Sequence, residues 1–137
     1  MEKLTGGCLC GAVKFSCSEE AVLAGHCQCT NCQKISGAGH MSNIGVPSGS
    51  VTVTGQLQYH SHKADSGNTV TRGFCARCGC DVITKNSGMT EFEFLRAGSL
   101  DDIELFKPAL VVFTRSGASW DALTPGLQHF DAMPDVI

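Results

Sequence analysis

Hydrophobic and polar residues alternate in short runs along most of this chain, and each run predicts a strand. Residues 11–17, GAVKFSC, place Val13 and Phe15 on one face. Residues 51–54, VTVT, alternate cleanly before the turn residue Gly55, and residues 57–62 set Leu57 and Tyr59 opposite Gln58 and His60. Residues 69–74, 81–84 and 91–95 repeat the pattern; in the last, Phe92 and Phe94 share a face against Glu91 and Glu93. Leu110 to Phe113, LVVF, is a continuous apolar run that suits a buried strand. Turn-forming clusters separate these segments: Pro47-Ser48-Gly49-Ser50, Asp65-Ser66-Gly67-Asn68 and Asn86-Ser87-Gly88. One short helix is expected after Thr30-Asn31, over 32–36. The pattern therefore predicts an all-β, two-sheet sandwich with a short helix near Cys32. The tail after Ser116, richer in Pro and Gly, is expected to wrap the sheets rather than extend them.

Length and charge narrow the class. At 137 residues the chain is expected to form one domain, residues 1–137, large enough to bury a core without covalent staples. A net charge of −3 with no basic stripe argues against nucleic acid as a partner. No apolar run approaches the ~20 residues of a membrane span. The N-terminal MEKLTGGCLCG lacks the charged-then-apolar layout of a secretory signal, so a soluble cytoplasmic protein is expected.

The cysteines change the picture most. There are nine, an odd number, and in a reducing compartment clustered thiols point to metal or redox chemistry rather than disulfides. Cys75-Ala76-Arg77-Cys78 followed by Gly79 is a knuckle in which backbone amides face two thiolates, and a closed zinc site wants two more ligands. Cys8 with Cys10, or two of Cys27, Cys29 and Cys32, can supply them. Cys8 and Cys10 are the better pair, because they tie the first strand to a late one through a single ion and leave the middle trio whole. A redox CxxC is disfavoured, since the βαβ context it usually occupies is missing. Three thiolates at Cys27, Cys29 and Cys32 make an incomplete tetrahedron, the arrangement of a zinc that keeps one place for water or substrate. His26 and His40 are the side chains nearby in sequence that would close it. Cys17 reads as a small buried hydrophobe and Cys80 as a spare knuckle residue or an oxidisable thiol.

The segments GGCLCGAVKF, HCQCTNCQKISGAG and FCARCGCDV, in that order, resemble the glutathione-dependent formaldehyde-activating enzymes, a family that also includes a centromere protein of the same domain type. The resemblance runs from about Gly6 past Trp120 to Phe130. It implies a two-sheet fold related to methionine sulfoxide reductase B. It further implies a structural zinc on Cys8, Cys10, Cys75 and Cys78, and a second zinc on Cys27, Cys29 and Cys32. The implied activity is that of a carbon–sulfur lyase, joining glutathione and formaldehyde as S-hydroxymethylglutathione. The chain departs from the family where Gln28 stands between Cys27 and Cys29 in place of a common histidine, and where His40-Met41 follows the Gly-Ala-Gly turn.

In the reaction so implied, a thiol adds to a small aldehyde, and a protonated group must meet the developing alkoxide. His40 is the better candidate for that group and His26 the weaker. Lys34 and Arg72 are candidates to hold the carboxylates of a glutathione-like thiol, with Arg96 and Arg115 more remote, and Trp120 could line the pocket or anchor the core. His60 and His62 share a strand face that solvent is expected to wet. The competing class of function is a protein-binding module, a zinc-stiffened β scaffold whose second metal is closed.

Overall fold

The computed structural model describes residues 2–134 and is mostly β, with two sheets and one short helix. In chain order the strands are β1 (Leu4–Gly7), β2 (Lys14–Cys17), β3 (Leu23–Cys27), β4 (Met41–Pro47), β5 (Val51–Thr54), β6 (Leu57–Lys63), β7 (Thr69–Cys75), β8 (Asp81–Asn86), β9 (Phe92–Arg96), β10 (Leu110–Val112) and β11 (Gln128–His129); helix α1 (Thr30–Ser36) lies between β3 and β4. The small sheet has the order β1-β2-β5 and the large one β11-β10-β3-β4-β9-β8-β7-β6. Pairing is antiparallel except around β10, which runs parallel to both β3 and β11.

The core forms where the sheets face each other. Leu4, Val13, Phe15 and Cys17 of the small-sheet side meet Ile44, Val46, Val82, Ile83 and Leu95 of the large sheet, and Val13, Cys17, Val46, Val82 and Leu95 are wholly buried. Period-two alternation places Val13 and Phe15 inward on their shared face, and Cys17 is the small buried hydrophobe expected. Burying a large aliphatic side chain here is worth about 1.5–3 kcal/mol each.

Two strands show which of their faces is covered, and one expectation, about the tail, is corrected. In β9 the better-buried face carries Glu93 and Leu95, not the phenylalanines: Leu95 joins the core, and Glu93 accepts from the Gly49 N–H at 3.1 Å. Tyr59 is 63% exposed because β6 is the edge strand of the large sheet. The tail does not only wrap; β11 extends the large sheet beside β10. Strands β1, β3 and β4 have no clean alternation, and tertiary pairing forms them. Among the described residues no helix is long and apolar enough to cross a membrane.

Candidate metal centres and the histidine–carboxylate pair

Two groups of sulfurs stand at separate places in this frame. The first joins the loop after β1, with Cys8 and Cys10, to the end of β7, Cys75, and the turn that follows it, with Cys78; all four sulfurs lie within 4.8 Å of one another. The Cys8–Cys10 and Cys10–Cys75 sulfurs are 3.6 and 3.8 Å apart. A zinc–sulfur tetrahedron with bonds of about 2.3 Å has edges of about 3.8 Å, so this quartet fits the ion. Backbone N–H groups point at the sulfurs as thiolates require: Val13 to Cys8 at 3.2 Å, Arg77 to Cys75 at 3.3 Å and Cys78 to Cys75 at 3.4 Å. Desolvation opposes ionisation of Cys8, but the Val13 N–H and the neighbouring thiols outweigh it and bring the group down to about 6. Cys80 is partly buried beside this group and is not a member of it.

The second group is Cys27, Cys29 and Cys32, again within 4.8 Å of one another. Cys27 ends β3, Cys29 caps the N-terminus of α1, and Cys32 sits in its first turn. The Cys29 sulfur accepts the Cys32 N–H at 3.3 Å, a capping role usually filled by Ser, Thr, Asp or Asn. Gly37, in the left-handed region at φ 70°, stops the helix after seven residues. Left as thiols, the three share protons unequally. Donation from Cys27 and Cys32 holds Cys29 far below the usual thiol range, while the same contacts push Cys27 and Cys32 up. Among the described residues no fourth His, Cys, Asp or Glu donor joins this group.

The two histidines that sequence offered as a fourth ligand have other partners. His26, extended on β3 and only 8% exposed, pairs through Nδ1 with Ser42 Oγ at 2.9 Å and packs edge-on against Phe106. Burial and the neighbouring His40 both lower its pKa. His40, just before β4, meets the His26 ring edge-on at 4.6 Å between centroids. Its Nδ1 lies 2.9 and 3.0 Å from the two carboxylate oxygens of Asp121. Gln28, buried between the cysteines, donates its Nε2–H to Asp121 Oδ2 at 3.0 Å. Burial alone would raise the Asp121 carboxyl, but Gln28 and His40 bind it strongly enough to bring it below the usual range.

Asp121 was not singled out from the sequence. It lies 81 positions from His40 in a tail with no periodic pattern, and only the fold brings them together. The tail reaches the trio because Phe113 leaves β10 at φ 58°, an unusual conformation for a bulky residue, and enters a 3-10 turn over Thr114–Ser116. Gln33 of α1 then ties that turn to the trio, donating to Gln28 O at 2.8 Å and Ser116 O at 2.9 Å.

The candidate cations are spread out. Lys34 is exposed in the last turn of α1. Arg72 lies on β7, four strands from β3, with Nη1 3.9 Å from Asp81 Oδ1 and its guanidinium over Phe74. Arg96 lies closer, on β9, held by Asp81 at 2.7 Å, by Asn43 at 3.0 Å and by the Thr84 hydroxyl. Arg115 sits over Phe113, and Trp120 is 71% exposed, so it anchors no core. His60 is exposed and His62 partly so, and neither enters a metal-holding group.

The fold is shared with a protein from Rhodobacter sphaeroides known from its crystal structure, which is 17% identical; the match covers 92% of this chain and 98% of that one, with a TM-score of 0.57. No curated protein matches the chain. The family model for the glutathione-dependent formaldehyde-activating enzymes matches residues 3–116, and the chain belongs to that family.

Proposed function

We propose that this protein is a zinc-dependent carbon–sulfur lyase-type enzyme that joins a glutathione-like thiol to a small aldehyde such as formaldehyde and releases it in the reverse direction. One observation carries the reading: three convergent sulfurs, Cys27, Cys29 and Cys32, without a fourth donor among the described residues, beside a histidine held by a carboxylate. Family membership supports this reaction type.

The quartet Cys8, Cys10, Cys75 and Cys78 would hold a closed structural zinc, and the trio a second zinc with one place free. Bound at the trio, zinc supplies a soft Lewis acid that lowers the pKa of an incoming thiol. The chain's own residues do the rest. Cys29 fixes the start of α1 through the Cys32 N–H, which sets the spacing of the trio. His40 stands as the acid that meets the alkoxide formed when sulfur attacks the aldehyde carbon. Lys34, next to the trio on α1, is the group for a carboxylate of the thiol; Arg72, four strands from β3 and already facing Asp81, lies too far from the trio to share that role. Orienting two small reactants accounts for much of the gain in such an addition. A cytoplasmic location fits this use of free thiols.

The test is direct. Protein loaded with zinc, glutathione and carbon-13 formaldehyde is followed by NMR for the hydroxymethyl carbon. Formation faster than the spontaneous reaction, lost in Cys29→Ser, is expected. A rate no higher than the uncatalysed one, with both metal sites filled, contradicts the reading and favours a protein-binding module.

A further inference from the structure

We infer that Asp121 is a positioning residue for this reaction: it holds the proton of neutral His40 on Nδ1 and so leaves Nε2 as the nitrogen that exchanges protons with the reactants. The inference rests on the proposed addition of a thiol to an aldehyde.

The geometry is built rather than incidental. Both carboxylate oxygens of Asp121 lie within hydrogen-bond distance of His40 Nδ1, and the Asp121 side chain is 9% exposed. A carboxylate only accepts, so in the neutral imidazole the shared proton belongs to Nδ1 and the lone pair to Nε2. Gln28 fixes the carboxylate from its other side, through Oδ2. Gly39 makes room for this contact, since a Cβ there would overlap the Asp121 carboxyl group; a Cβ at Gly117 would press on the Gln28 amide at 2.6 Å. The His40 side chain keeps 25% exposure, enough to meet a small reactant. Asp121 also lies beyond the residues matched by the family model, so family membership does not assign it.

The proton and electron balance is then closed within the pair of reactants. The thiol proton passes to His40 Nε2. The sulfur lone pair forms the new S–C bond as the C=O π pair moves onto oxygen. The Nε2 proton is returned to that oxygen, giving the hydroxymethyl thioether with no other donor or acceptor consumed. During the step His40 is an imidazolium, and Asp121 stabilises it as an ion pair while Nδ1–H stays in place.

Nitrogen-15 NMR of the zinc-loaded protein, with turnover measured on the same samples, tests this. Wild type is expected to show His40 as the Nδ1–H tautomer. Asp121→Asn, which still accepts from Gln28, is expected to lose that tautomer and to drop kcat by about 10²-fold or more, with zinc content and KM for the thiol little changed. Adding Asp121→Asn to His40→Gln is expected to cost little further, because the two groups act as a unit. His40 in the Nε2–H tautomer in wild type overturns the inference. So does an Asp121→Asn protein with wild-type kcat, or one whose lost activity follows lost zinc. Wild-type protein without turnover but with the expected tautomer, lost in Asp121→Asn, overturns the proposed reaction and supports the positioning.

Discussion

Each sulfur group asks something different of a single cysteine. Cys29 is both trio member and N-cap of α1, and serine is among the better N-caps, so Cys29→Ser keeps the helix start while removing a ligand. We expect a thermal midpoint within a few degrees of wild type and no lyase activity. Cys78→Ser breaks a group that joins two distant segments, and a strong destabilisation or failure to fold is expected. Melting curves of the two variants check the ranking; the reverse order would exchange the roles of the two groups. Gly39→Ala gives a finer test of the same region. Its Cβ would displace the Asp121 carboxyl group, so activity should fall towards that of Asp121→Asn while the quartet and the core stay intact, as read from kcat and the melt.

At the level of elements, the parallel contact of β3 with β10 decides where the trio sits. A Cβ on Gly25 would meet the Leu110 carbonyl oxygen at 2.5 Å, so only glycine lets these strands close. Gly25→Ala should force β10 outward and cost about 1–3 kcal/mol, the usual range for overpacking. Cys27 and Gln28 lie just downstream, and Gln28 itself donates to the Val112 carbonyl, so the same change should release metal from the trio before the quartet. Denaturant melts and metal titration check both parts. Alternation made β2, β5, β6, β7, β8 and β9 legible because each buries one face or pairs regularly. Strands β3 and β4 were not, since LAGHC and MSNIGVP are covered on parts of both faces and carry glycine and polar residues at the site end. β11, two residues long, exists only because β10 offers it an edge.

For the whole molecule, the two sulfur groups divide the work. The quartet links the β1 loop to the β7 turn across the core, and the trio stands at the far end of β3 where the tail folds over it. Both groups were legible in the sequence, because a ligand set written as closely spaced cysteines survives without knowledge of the fold. The Asp121 contact was not, since nothing local marks a lone aspartate whose partners lie 81 and 93 positions away. The division predicts staged metal loss. Metal binding needs deprotonated thiols, so affinity at both groups falls as pH falls. The trio, with one ligand fewer, should empty first, abolishing activity while the melt is preserved; unfolding should accompany loss from the quartet. Metal content, activity and circular dichroism followed together through an acid or chelator titration would show the two stages, and simultaneous loss of all three would deny them.

Zinc-edge X-ray absorption, before and after adding glutathione, tests the central claim most directly. Two zincs per chain, one with four sulfurs and one with three, give a mean of about 3.5 sulfurs per zinc, rising to about 4 when the thiol binds. A single zinc per chain, or a mean already at 4 and unmoved by glutathione, would contradict the account.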